Sequence, residues 1–280
     1  MMNGPEKSDP STVAVKPMNK SDGSDAESVE RREGAEGNTS RDRMRRTPSR
    51  ESMSSGLERV RERAKVEKKE RFTALLHHVD VDLLRAAFSC LKRDAAPGVD
   101  GLTWRQYEQN LESNLVDLHG RVHRGAYRAQ PSRRKFIPKA DGRERPLGIA
   151  ALEDKIVQRA VVEVFNAIYE EDFLGFSYGF RPGRGQHDAL DALAVGITRT
   201  PVNWIVDVDV RSFFDTVSHE WLIRFVEHRI ADPRMIRLIR KWLKAGVMDD
   251  GEWSSSEAGT PQGAVITPLT QKVTSSLSER

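Results

Sequence analysis

Apolar residues recur at helical spacing from Phe72 onward. Phe72, Leu75, Leu76 and Val79 share one helical face, and Leu83, Leu84, Ala87, Phe88 and Leu91 share the face of a second helix. Ala96-Pro97-Gly98-Val99-Asp100-Gly101 interrupts this pattern with turn residues, after which Thr103 and Gln106 form a capping box opening a third helix through Tyr107, Leu111 and Leu115. The pattern then changes. Lys135–Pro138 and Arg145–Ile149 are short extended runs around an Asp141-Gly142 turn, which predicts a β-hairpin crowded with basic residues. Ile156, Val157, Ala160, Val161, Val164, Phe165 and Ile168 mark a strong helix, and residues 187–198 predict another. Residues 203–210 are the best strand in the chain, with Trp204, Val206, Val208 and Val210 on one face and Ile205, Asp207 and Asp209 on the other. Helices are predicted over 219–230 and 233–245, and residues 270–280 are polar.

Residues 1 to about 66 carry almost no aromatic side chains and cannot bury enough apolar surface to offset the entropy of ordering, so a disordered basic tail is expected there. Arg41, Arg43, Arg45, Arg46 and Arg50 cluster within it, which suits either an arm along phosphates or a solvated tail with no partner. The whole chain is only mildly basic, at +3. No run approaches the ~20 apolar residues of a membrane span and no signal peptide is evident, so a cytoplasmic protein without membrane contact is expected. Cys90 is the single cysteine, which excludes an internal disulfide or a cysteine zinc cluster.

Two carboxylates on one face of an apolar strand are costly to bury unless a cation neutralises them, and a divalent metal does so. Asp207 and Asp209 are therefore candidate metal ligands, the plainer alternative being an exposed strand end. Asp209-Val-Arg-Ser-Phe-Phe-Asp215 resembles the first catalytic motif of template-directed polymerases. The resemblance implies that Asp209 binds catalytic magnesium and that Phe214 blocks a ribose 2′-hydroxyl, selecting deoxynucleotides. Taken alone, a phenylalanine in this position is more often a core residue.

Three further blocks follow the same order as in group II intron reverse transcriptases. Ile137-Pro-Lys139-Ala-Asp-Gly-Arg-Glu-Arg145-Pro-Leu-Gly-Ile149 resembles their fingers hairpin. Tyr178-Gly-Phe-Arg181-Pro-Gly-Arg184-Gly-Gln-His187-Asp-Ala-Leu190 resembles the block before their palm strand, and Gly259-Thr-Pro-Gln262-Gly263 through Leu269 the loop lining their nucleotide pocket. The similarity covers about residues 67–269, and Ala96–Thr103 fits the family's amino-terminal extension. It implies that Lys139, Arg145, Phe214 and Gln262 contact the nucleotide. A point charge and a forked guanidinium flanking one turn can meet the same triphosphate. Arg181, Arg184 and His187 either hold template RNA or pin a structural loop.

The fold expected from this resemblance is α/β (α+β) and helix-rich: fingers and an incomplete palm of a right-hand polymerase. Its parts are the tail at 1–66, a helical extension at 67–128 and the fingers with a partial palm at 129–280. Gly263-Ala264 and Thr267 depart mildly from the family. The larger departure is that no Tyr-Ala-Asp-Asp occurs in the 280 residues, which suggests a frameshift, an interrupted gene or a deliberate cut. Two functions stay open. One is an RNA-directed DNA polymerase and maturase of a group II intron, using Mg2+, dNTPs, an RNA template and a DNA primer. The other is an inactive remnant that at most binds intron RNA. A metal-dependent nuclease is a distant third, since no second carboxylate cluster accompanies Asp207 and Asp209.

Overall fold

The computed structural model describes residues 55–138, 142, 144–208, 216–256 and 258–260. All of them lie within the compact unit Thr39–Arg280. Asp209, Phe214, Lys139, Gln262 and the arginine cluster at 41–50 lie outside the described residues.

One helix organises the rest. In α5 (Leu152–Tyr169), 13 of 18 residues are buried, including all seven apolar positions picked out by periodicity. A helix apolar on nearly every side belongs at the centre of a core. Two helices pack directly on it, α1 (Ser55–Val66) and α2 (Val81–Ser89). α2 opens on Asp80, whose carboxylate accepts the Leu83 amide at 2.7 Å. The predicted capping box is formed: the Thr103 amide donates to Gln106 Oε1 at 2.9 Å and the Gln106 amide to Thr103 Oγ1 at 3.3 Å. It opens the short α3 (Trp104–Glu108), and the chain restarts as α4 (Leu111–His123).

The structure corrects two expectations in this region. Order does not begin at residue 67, because α1 already buries Leu57 and Ala64. Its far end is fixed by Arg229, which is 2% exposed, donates to the carbonyls of Lys68 and Ala64 and pairs with Asp172 at 3.3 Å. Residues 72–79, in turn, do not form a helix. Phe72 bridges Ile230 through two 2.8 Å backbone bonds, and only Leu76–His78 makes a 3-10 turn. The cause is Asp232, whose buried carboxylate accepts the amides of Leu75 at 2.7 Å and Leu76 at 3.0 Å. Phe72, Leu75, Leu76 and Val79 still face the core, since a chain crossing a core also alternates apolar contacts.

The predicted hairpin forms as β1 (Ser132–Pro138) antiparallel to β2 (Glu144–Ile149), with Ile137 opposite Arg145. Beyond the 187–198 prediction, met by α6 (Gln186–Arg199), come α7 (His219–Glu227) and α8 (Pro233–Lys244). Two short strands follow, β3 (Val247–Asp249) and β4 (Glu252–Ser254), giving a sheet ordered β2-β1-β3-β4 in which only β1 and β3 run parallel. Asp250 and Gly251 join β3 to β4 with φ of 44° and 88°. Two left-handed residues in a two-residue loop are what a tight hairpin requires, and Asp-Gly supplies them. Among the described residues no helix is long and apolar enough to cross a membrane.

Candidate functional site

The base of the hairpin is anchored, while the described residues on either side of its turn are exposed. At the base, the Ser132 amide donates to the Gly246 carbonyl at 3.0 Å. The chain leaving β2 is covered by the Ala96–Gly101 turn, where a Cβ on Gly98 would stand 2.5 Å from the Ala151 Cα, and Lys155 Nζ donates to the Ala96 carbonyl at 2.9 Å. Only glycine allows two backbones to approach that closely. Arg145, near the turn, is exposed and makes no ion pair with a described residue.

Before the hairpin, a buried polar chain fixes residues 124–131. Trp242 Nε1 donates to the Tyr127 hydroxyl at 2.9 Å, that hydroxyl donates to Asp154, and the Gln130 amide reaches the other Asp154 oxygen at 3.0 Å. Burial pushes the Asp154 carboxyl up to about 6 against the opposing effect of these donors.

The loop carrying Arg181, Arg184 and His187 treats them unequally. Arg181 is buried: it pairs with Glu170 at 2.9 Å, donates to the carbonyls of Leu174 (3.0 Å) and Ser177 (2.9 Å), and lies over the Phe173 ring. Its donors are spent inside the loop, so of the two sequence readings the structural brace is the one the geometry supports. Arg184 donates to the carbonyls of Gly175 and Ser177 and covers Tyr178. His187 is exposed on the first turn of α6. Between them Phe180 takes φ 54° while 75% exposed, a strained conformation for a bulky residue.

The expected strand at 203–210 is not formed over its described part. Residues 201–208 join no ladder, and Trp204 is 87% and Val206 80% exposed. An alternating sequence becomes a strand only when a neighbour takes its backbone bonds, and no described strand adjoins this one. Asp207 is exposed accordingly. Among the described residues no group of three or more His, Cys, Asp or Glu side chains could hold a metal, so these residues do not by themselves make a metal site.

The structure does bring two sequence-distant blocks together. Ser218 bridges Ala258, the Gly259 amide donates to the Val217 carbonyl at 2.8 Å, and His219 Nε2 donates to the Gly259 carbonyl at 2.6 Å. The start of the Gly259–Leu269 block is thus clipped to the segment that follows Asp209–Asp215. His219 escaped the sequence reading, although a histidine just after a helix-capping serine is a visible signal. The profile of the family described as reverse transcriptase (RNA-dependent DNA polymerase) matches residues 137–278.

The chain belongs to the reverse transcriptase family.

Its relatives place this reverse transcriptase chain with the group II intron reverse transcriptases and maturases. It is 41% identical to protein YkfC of Escherichia coli K12 over 180 residues, 63% of this chain and 47% of that one. It is 32% identical to the group II intron-encoded protein LtrA of Lactococcus lactis over 217 residues, 76% of this chain and 36% of LtrA. An uncharacterized 91 kDa protein in a cob intron of Schizosaccharomyces pombe is 38% identical over 192 residues, 67% of this chain and 23% of that protein. The chain therefore spans less than half the length of these relatives. Reverse transcriptases are in general divalent-metal dependent.

Proposed function

We propose that this chain carries the fingers and the first palm motif of an RNA-directed DNA polymerase and maturase encoded by a group II intron. The observation that carries the reading is the clip from Val217 and His219 to Gly259, within the region that matches the family. It ties the segment that follows Asp209–Asp215 to the first residue of the Gly259–Leu269 block, and the family resemblance gives metal and nucleotide roles to those two blocks. In this proposal Asp209, with Asp207, supplies ligands for Mg2+, which would provide positive charge at the reacting phosphate. Lys139 and the exposed Arg145 take the triphosphate of a dNTP, Phe214 excludes a 2′-hydroxyl, and Gln262 contacts sugar or base. Arg184 and His187 face template RNA while Arg181 holds their loop in shape. A helical extension now beginning at α1 braces the fingers through Gly98 and Lys155. Intron RNA, an RNA template and a DNA primer are the proposed partners, in the cytoplasm.

A second reading is favoured by one fact of the sequence. The 280 residues hold Asp207 and Asp209 but no Tyr-Ala-Asp-Asp, and two-metal transfer needs carboxylates on both sides of the reacting phosphate. On that reading the 280-residue polypeptide binds RNA without copying it. Primer extension on an RNA template separates the two. The polypeptide alone should extend nothing, and addition of the Tyr-Ala-Asp-Asp-bearing remainder of a relative should restore extension that Asp209→Ala abolishes. Extension by the polypeptide alone would refute the second reading, and none after complementation would refute the first.

A further inference from the structure

A run of positive charge with no acidic residue in it lies along α8, a helix that holds none of the residues with proposed polymerase roles. Its buried face is wholly apolar, with Met235, Ile236, Leu238, Ile239, Trp242 and Leu243 in the core. Its outer side carries Arg234, Arg237, Arg240, Lys241 and Lys244, and the helix contains no acidic residue. Two of the five are neutralised, Arg234 by Asp232 and Arg240 by Glu227, each at 3.4 Å. Arg237 and Lys244 are exposed and pair with no described residue, as does Arg128 on the neighbouring loop. Lys241 ties that loop to the helix by donating to the Gly125 carbonyl at 2.9 Å and to that of Tyr127. Arg237 lies beside the same turn, 3.9 Å from where a Cβ of Gly125 would stand. Burial, and then the charges of Arg237 and Arg128, hold the Lys241 amine below its ordinary value, so the cations crowd one another.

An aromatic ring stands at the end of this run. Trp253 is exposed and is held in place by Nε1, which donates to the Ala245 carbonyl at 3.0 Å, one residue beyond Lys244. Its ring lies against Gly246, where any Cβ would collide with it. A basic track leading to a fixed aromatic face is the arrangement that binds phosphates in sequence and stacks an unpaired base at one end.

We propose that Arg128, Arg237, Lys241 and Lys244 form a docking track for an RNA phosphate backbone, with Trp253 stacking an unpaired base at its end. The choice of RNA as the anion rests on the proposed function. The track itself rests on α8 and its loop. Arg237 and Lys244 stand ~10 Å apart along the helix, a span that reaches more than one phosphate of an RNA strand. A membrane surface fits poorly, because the apolar side of α8 is already spent on the core.

The test is binding of the 280-residue chain to a labelled RNA hairpin, with and without a single-stranded tail, followed by anisotropy over a range of salt. Arg128→Gln/Arg237→Gln/Lys244→Gln should weaken binding about tenfold or more at low salt and reduce the slope of log affinity against log salt by about two to three. Lys241 is left in place because it holds the loop. Trp253→Ala should weaken binding of the tailed hairpin severalfold and spare the untailed one, with the slope unchanged. A charge-matched control, Arg59→Gln/Lys69→Gln/Lys92→Gln, should bind nearly as the parent does. Equal binding by the α8 triple variant and the control would overturn the proposal, as would no RNA binding by the parent. Tighter binding of polyglutamate than of RNA would overturn it in favour of an acidic protein partner. Failure of the polymerase reading would show instead as absent extension after complementation with RNA affinity intact.

Discussion

Helices α5 and α6 carry similar apolar content and meet opposite fates. α5 buries 13 residues, whereas α6 buries none and leaves Leu190, Leu193, Val195 and Ile197 in solvent. The contrast continues into the next segment, where Trp204, Ile205, Val206 and Val208 are exposed. Periodicity specifies which side chains can share a face, but burial needs a second surface to close on it. α5 has α1 and α2 against it. Among the described residues, α6 and residues 202–208 have no such cover, and contiguous exposed apolar surface favours association.

The sharpest way to break this comparison is to truncate one residue on each helix. Phe165→Ala should cost about 3–5 kcal/mol in urea denaturation, while Leu193→Ala should cost less than about 0.5 kcal/mol. A large cost at Leu193 would show that α6 is packed in solution. Asp232→Ala should come next, at about 2–4 kcal/mol, because it leaves the buried amides of Leu75 and Leu76 without acceptors.

The two buried carboxylates of the packed region should respond to pH in opposite senses. Burial raises the Asp232 pKa, but the amides of Leu75, Leu76 and Arg234 outweigh it and hold the carboxyl below its ordinary value. Its stabilisation is therefore full above the unfolded-state value and is lost as pH falls through the folded one. Asp154 is raised from 3.8 to about 6, so its contribution is full below the unfolded value and lost as pH rises through about 6. Between pH 4 and 7 this change should approach about 2–3 kcal/mol, and Asp154→Asn should remove it from the stability profile. The smallest effect belongs to the uncovered segment. Trp204→Ser should change stability by less than about 0.5 kcal/mol, and amides of residues 203–208 should exchange with solvent at nearly unprotected rates. Strong protection there in a monomer would mean that the segment finds a strand partner.

Local rules were legible wherever the bonding groups lie close in sequence. The Thr103 capping box, the β1/β2 hairpin and the helices α2, α5, α7 and α8 all follow from spacings of a few residues, and the Asp250-Gly251 signal for β3 and β4 was equally visible though unused. Part of the candidate site was legible in the same way. Four motif blocks named the family from residue identities alone, and the match over 137–278 agrees with them. Other features depended on partners far along the chain. Residues 72–75 form no helix because Asp232, more than 150 positions away, accepts the Leu75 and Leu76 amides. Arg181 could hold template RNA or pin its loop until the fold spent its donors inside that loop, and His219 gained a role only when Gly259 came within 2.6 Å. The sequence by itself determined the family, the caps and the apolar faces, because those depend on short-range periodicity and residue chemistry. Only the tertiary structure decided which faces are covered and which cations are already spent, because burial and ion pairing belong to surfaces that meet from distant parts of the chain.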